Sequence, residues 1–187
     1  MRIKFDGHQQ FQIDAVNAIC DLFRTQPLAS SMSSVAFAAA SGELYDELGV
    51  ANNLLVHESV VLDNLRTVQR TQGLPESSVL DGMNFSVEME TGTGKTYVYL
   101  RTAYELNARY GFKKYVVVVP TVAIREGVNK SIEITRDHFA DLYGKVPCET
   151  WVYDSARPSL LRQFAHQLRH HLPANTAATE RSGHREV

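Results

Sequence analysis

The stretch VEMETGTGKTYVYLRTAYEL, residues 87–106, constrains the fold more than any other part of this chain. Gly92, Gly94, Lys95 and Thr96 stand between a β-like run, NFSVEME (84–90), and a run with helical spacing, GKTYVYLRTAYELNARYG (94–111). A strand that turns into a helix through glycines aims successive backbone N–H groups at one spot, and the helix dipole adds to their pull on an anion. Lys95 would reach β- and γ-phosphate oxygens, and the Thr96 hydroxyl would hold Mg²⁺. A Gly-x-Gly turn alone only caps a helix. With Lys-Thr after it, a strand before it and an apolar helix behind it, residues Thr91, Gly92, Thr93, Gly94, Lys95 and Thr96 read as a phosphate loop for a nucleotide. The usual pattern G-x-x-x-x-G-K-[ST] has a glycine five positions before Gly94, where this chain has Met89.

The loop sits at the head of an alternating pattern. KYVVVVP (114–120) is nearly all β-branched, as a strand buried on both faces of a parallel sheet would be. TVAIREGVNKSIEITRDHFADLYG (121–144) has helical spacing, CETWVYD (148–154) reads as a third strand, and PSLLRQFAHQLRHH (158–171) as a last helix. Strands alternating with helices give an α/β domain with right-handed crossovers. Ahead of it, QQFQIDAVNAICDLF (9–23) and HESVVLDNLRTVQRTQG (57–73) are amphipathic helices, separated by a Ser/Ala-rich insertion at 28–49. The expected organisation is a helical region over 1–82, a P-loop domain over 83–171 and a structureless tail over 172–187, which loses all apolar periodicity.

Composition excludes some classes of function. The net charge of −2 argues against a chain basic throughout, although it leaves room for a local nucleic-acid groove. Cys20 and Cys148 are far apart and lack C-x-x-C partners, so neither a disulfide framework nor a zinc ribbon is indicated. His166 and His170 lie four apart beside His171, but no Cys, Asp or Glu stands close enough in sequence to complete a metal site, and a basic solvated face is expected. No run approaches the roughly 18 apolar residues of a membrane span, and the start MRIKFDGHQQ has no signal-like apolar core, so a soluble cytoplasmic protein is expected.

Met89 then narrows the resemblance. METGTGKT (89–96) is similar to the first motif of superfamily 2 helicases, in which the leading glycine is often replaced. HQQFQIDAV (8–16) resembles their upstream glutamine motif, with Gln12 at the residue that reads adenine; a surface glutamine on a helix is the plain alternative. VVVVPTVAIREGV (116–128) is similar to the motif that contacts the nucleic-acid backbone, which implies roles for Pro120, Thr121 and Arg125, against the alternative of an ordinary strand-to-helix turn. Over residues 5–164, including VYDSARPSLLRQFA (152–165), the chain resembles the restriction (Res) subunit of type III restriction-modification enzymes. The resemblance implies a RecA-like P-loop NTPase domain with a parallel sheet, Lys95 and Thr96 in catalysis, ATP and Mg²⁺ as cofactors, and double-stranded DNA and a methyltransferase (Mod) subunit as partners. The parent is then an ATP-dependent DNA translocase and endonuclease.

That family also needs a Walker B Asp-Glu pair. TWVYDSAR (150–157) offers Asp154 with Ser155 where the Glu should be, and the resemblance assigns this strand to the position before that motif. The expectation is therefore an incomplete RecA-like domain, an N-terminal piece of a Res subunit that binds ATP weakly and hydrolyses it negligibly. Two other classes stay open: a non-catalytic P-loop remnant, and a small P-loop kinase, which the residues 1–90 preceding the loop disfavour.

Overall fold

The structure, a computed structural model, describes residues 4–28, 52–146, 148–153, 156–157, 159, 164 and 174–178. Most of the insertion at 28–49, and Asp154, Ser155, His166, His170 and His171, lie outside the described residues. The elements run α1 (Gln10–Asp21), α2 (Glu58–Thr71), α3 (Lys95–Tyr110), β1 (Tyr115–Val119), α4 (Val122–Tyr143), β2 (Thr150–Val152) and β3 (Ala174–Ala178).

Helix α3 is the central element because its sequence is apolar on two sides. Tyr97, Leu100 and Tyr104 pack with Val119 of β1 and with Val128, Ile132 and Phe139 of α4. Val98, Leu106 and Tyr110, with Phe112 beyond the helix end, pack with Val16 and Cys20 of α1. Each such side chain removed from water contributes about 1.5–3 kcal/mol, so α3 is the spine that joins α1 to the β1–α4 unit. Burial pushes the Cys20 thiol up to about 12, which leaves it a small, inert core residue. Helix α3 ends at Gly111, whose left-handed φ of 73° a residue with a Cβ would resist.

Helix α2 begins at His57, whose ring accepts from the Ser59 N–H, and it contributes one fully buried residue, Val61. Two side chains fix the chain on either side of the insertion. Gln26, itself buried, donates to the Asn53 carbonyl at 3.0 Å and accepts from the Leu55 N–H at 2.9 Å. Asn52 accepts from the Lys113 and Lys114 N–H groups at 2.8 and 3.0 Å and donates to the Lys114 carbonyl at 2.6 Å, which ties it to the start of β1.

The described strands pair in the order β1-β3-β2, both ladders parallel, with Tyr115 opposite Ala174 and Thr150 opposite the same residue. Two sequence expectations need correction. Residues 84–90 do not join this sheet. They have no regular secondary structure and line a groove together with residues of α1 and α2, with Phe85 and Met89 half-buried and Val87 48% exposed. An alternating pattern makes a segment able to pair; a neighbour makes it a strand, and none of the described strands runs beside this one. Residues 174–178, read as tail, form β3 between the other two strands. Sheet pairing is made by backbone groups, so a stretch such as ANTAA can carry it without an apolar pattern. Among the described residues no helix is long and apolar enough to cross a membrane.

Candidate nucleotide site

The loop takes the geometry its glycines permit. Gly92 and Gly94 have φ of 86° and 85°, in the left-handed region, and Lys95 begins α3. At Gly94 a second constraint applies: an added Cβ would lie 2.7 Å from Gln12 Nε2. Gln12 is buried in the first turn of α1, and its Nε2 donates to the Thr93 carbonyl at 2.9 Å. The structure therefore brings Gln12 and the 91–96 loop, two segments singled out in the sequence, into direct contact across 81 residues of sequence.

Within the loop, donors converge on one oxygen. The Glu90 carbonyl accepts from Lys95 Nζ at 2.8 Å and from the Thr93 hydroxyl at 2.7 Å, with the Thr93 N–H at 3.4 Å. The backbone N–H groups of the first turn of α3 have no acceptor within the helix, as at any helix start. Thr91 and Lys95 are exposed, and Thr93 and Thr96 are half-buried. Met89 packs against the cluster formed by Val16, Cys20 and Val98, so the position where a phosphate loop commonly begins with glycine here anchors the approach to the loop in the core. A groove of about 860 Å³ opens beside the loop at Glu90 and Thr93, with Phe11, Ile19, Leu65, Leu74 and Val87 among its apolar walls.

The second candidate segment lies at the corner between β1 and α4. Thr121 caps α4, its hydroxyl accepting from the Ile124 N–H at 3.2 Å, and Pro120 precedes it exposed. Arg125 pairs with the adjacent Glu126 carboxylate at 3.1 Å. Among the described residues no group of three or more His, Cys, Asp and Glu could hold a metal ion.

Sequence reasoning missed the Glu90 carbonyl, because a backbone acceptor has no residue signature. It also missed a junction behind the loop. The Tyr97 hydroxyl is 2.8 Å from His138 Nε2, Phe5 stacks on Tyr97 with ring centres 6.1 Å apart, and Arg101 donates to the Gly7 carbonyl at 2.7 Å. Burial raises the Tyr97 hydroxyl above its usual range and lowers the His138 imidazole below its own. The signal in the sequence is limited to the aromatic side chains Phe5, Tyr97 and His138, whose spacing does not show that they meet.

Comparison with known proteins bears on this geometry. A family model described as "Type III restriction enzyme, res subunit" matches residues 9–158. The chain is 54% identical over 65 residues to the type III restriction-modification enzyme StyLTI Res subunit of Salmonella typhimurium, covering 34% of this chain and 7% of that protein. It is 34% identical over 132 residues to the EcoP15I Res subunit of Escherichia coli, covering 65% of this chain and 13% of the relative. Against the EcoPI Res subunit of Escherichia phage P1 it is 32% identical over 133 residues, covering 63% and 13%. The matches thus take in 13% or less of the length of these relatives. Membership of this family implies a RecA-like P-loop fold. Since the family match runs from residue 9 at the start of α1 to residue 158, past α3, β1 and α4, the chain belongs to the type III restriction enzyme Res subunit family.

Proposed function

We propose that this chain is the ATP-binding, helicase-like portion of a type III restriction Res subunit. The whole protein would drive ATP-dependent translocation on double-stranded DNA and its cleavage, in the cytoplasm, with a methyltransferase (Mod) partner. The observation that carries the reading is the convergence of the Lys95 ammonium and the Thr93 hydroxyl on one oxygen, at a turn of two left-handed glycines that opens a helix. A site built this way suits an anionic oxygen, which the lysine charge and the helix N-terminus favour over a neutral one.

A phosphate oxygen would take the place of the Glu90 carbonyl, with Thr91 and Gly92 forming the outer side of the turn. Gln12, whose contact with Thr93 brings it to the loop, would read the base by pairing its amide with adenine N6 and N7. The groove beside Glu90 and Thr93 offers that base an apolar wall. The Thr96 hydroxyl, half-buried at the start of α3, would hold Mg²⁺ that arrives with the nucleotide. When bound, the ion would neutralise charge on the phosphates. Lys95 and Thr96 hold the phosphates for catalysis in the whole enzyme. At the β1–α4 corner, Pro120, Thr121 and Arg125 would meet the nucleic-acid backbone, Arg125 exchanging Glu126 for a DNA phosphate. The parallel pairing of β1, β3 and β2 supports placing these strands in a RecA-like sheet.

Nucleotide binding is the property that Lys95, Thr96 and the loop glycines support. Phosphoryl transfer also requires an oriented water and a partner for the developing charge, and an arginine finger is worth about 10³–10⁵ in rate. Isothermal titration of the purified chain with Mg·ATP and Mg·ADP tests the reading. Weak, saturable binding that is lost in Lys95→Ala, with the circular dichroism spectrum unchanged, is the expected result. A folded wild-type chain that binds neither nucleotide at millimolar concentration overturns it.

A further inference from the structure

We propose that Arg101 and Phe5 are positioning residues for the base-reading side of the nucleotide site, strapping the segment that leads into Gln12 onto the helix that carries Lys95 and Thr96. The inference rests on the nucleotide reading above and adds residues to it. Segment 4–9 lies across α3 and α4 immediately before α1. Its Phe5 ring stacks on Tyr97 at 6.1 Å and 16°, and lies 5.5 Å from the His138 ring. Gly7 is buried, and an added Cβ would meet His138 Cε1 at 3.4 Å and Leu142 at 3.5 Å. Arg101 Nη1 donates to the Gly7 carbonyl at 2.7 Å across 94 residues of sequence. The guanidinium is itself held, because its Nε donates to the Tyr143 hydroxyl at 3.1 Å, and that hydroxyl donates to the Glu105 carboxylate at 2.7 Å.

The far half of α1 has its own anchors on α3. Arg109 donates to Asn17 at 2.6 Å, and the Tyr110 hydroxyl donates to the Cys20 carbonyl at 2.9 Å. Gln12 lies between these two sets of anchors. Releasing the strap frees the end of α1 that carries Gln12 while the body of the helix stays packed. The base-reading side chain then loses its fixed register on Thr93, while the loop itself, set by Gly92, Gly94 and the start of α3, does not.

Arg101→Met, Arg101→Lys and Phe5→Leu are titrated with Mg·ADP, Mg·GDP and inorganic tripolyphosphate, and hydrogen exchange is followed in residues 5–14 and 15–21. In Arg101→Met the preference for ADP over GDP falls about tenfold, the loss expected for a hydrogen bond from a charged donor. Tripolyphosphate affinity is unchanged, exchange quickens in 5–14 but not in 15–21, and Arg101→Lys restores part of the preference. Phe5→Leu, at the margin of the fold, carries the same readouts if Arg101→Met fails to fold. Parallel losses for ADP and tripolyphosphate, or an unchanged ADP preference, overturn the proposal. If the wild-type chain binds none of the three ligands, the nucleotide reading falls; exchange then decides the strap, and unchanged rates in 5–14 overturn it.

Discussion

Replacing Gly94 by alanine separates two costs that the loop imposes on one residue. The first is conformational: at φ of 85° an alanine occupies the left-handed region at about 1–2 kcal/mol. The second is steric, since the new Cβ would stand 2.7 Å from Gln12 Nε2, and the amide must move. Its bond to the Thr93 carbonyl is then lost in a buried setting, at about 1–3 kcal/mol. The sum is about 2–5 kcal/mol, or at about 2–4 °C per kcal/mol a fall in melting temperature of roughly 4–20 °C for a chain of this size. Gly92→Ala is the internal control. Its φ is 86°, but nothing lies within 4 Å of the added Cβ, so only the first cost applies. The assay is urea unfolding of wild type, Gly94→Ala, Gln12→Ala and the double variant. Once Gln12 has been truncated, Gly94→Ala should cost no more than Gly92→Ala, which leaves a coupling of about 1–3 kcal/mol between the two sites. Strict additivity, or equal costs at Gly92 and Gly94, would refute the steric argument and with it the packing of Gln12 over the loop.

Acid should weaken the fold through His138. Burial lowers its imidazole below the ordinary value of 6.5, so the unfolded chain takes up the proton first; stability is full above about pH 6.5 and falls as the pH drops toward the lowered folded value. Urea midpoints measured from pH 7.5 to 5 should show this decline, and His138→Gln should flatten it. Phe139, 1% exposed and with its ring centre 4.8 Å from that of Tyr104, should cost about 3–5 kcal/mol on replacement by alanine, read as a fall in urea midpoint at constant slope. Asn52→Ala removes three hydrogen bonds to the backbone of Lys113 and Lys114 but leaves groups that water can reach, so a loss of about 1 kcal/mol is expected; hydrogen exchange at the start of β1 should quicken, and unchanged protection there would refute the anchoring role.

What the sequence revealed follows the range of the interactions involved. Helix α3 and its loop were legible because their causes are local: left-handed glycines, a lysine and threonine at fixed offsets, apolar residues at helical spacing, and Gly111 at the end. Helix α4 was legible for the same reason; that Thr121 caps it was seen only in the structure. The state of 84–90 was not, because pairing depends on which backbone arrives beside it, and the β3 backbone arrived from a stretch without apolar pattern. Gln12 could be named from its motif, but its burial against Thr93 is a contact between distant segments. The strap formed by Phe5, Gly7 and Arg101 gave still less signal, since one of its bonds ends on a main-chain carbonyl.

Under the function proposed above, the bond between Lys95 and the Glu90 carbonyl would turn nucleotide entry into an exchange of acceptors. The ammonium never has to wait without a partner, so the loop need not be ordered by its ligand, and little ordering entropy is charged to the bound state. The same bond sets a threshold, because a ligand gains only the difference between its oxygen and the carbonyl it displaces. A neutral acceptor gains almost nothing, and an anion gains its charge. On departure the carbonyl recaptures the lysine, which lowers the barrier to release. A loop of this kind discriminates by charge before it discriminates by shape, and it resets itself.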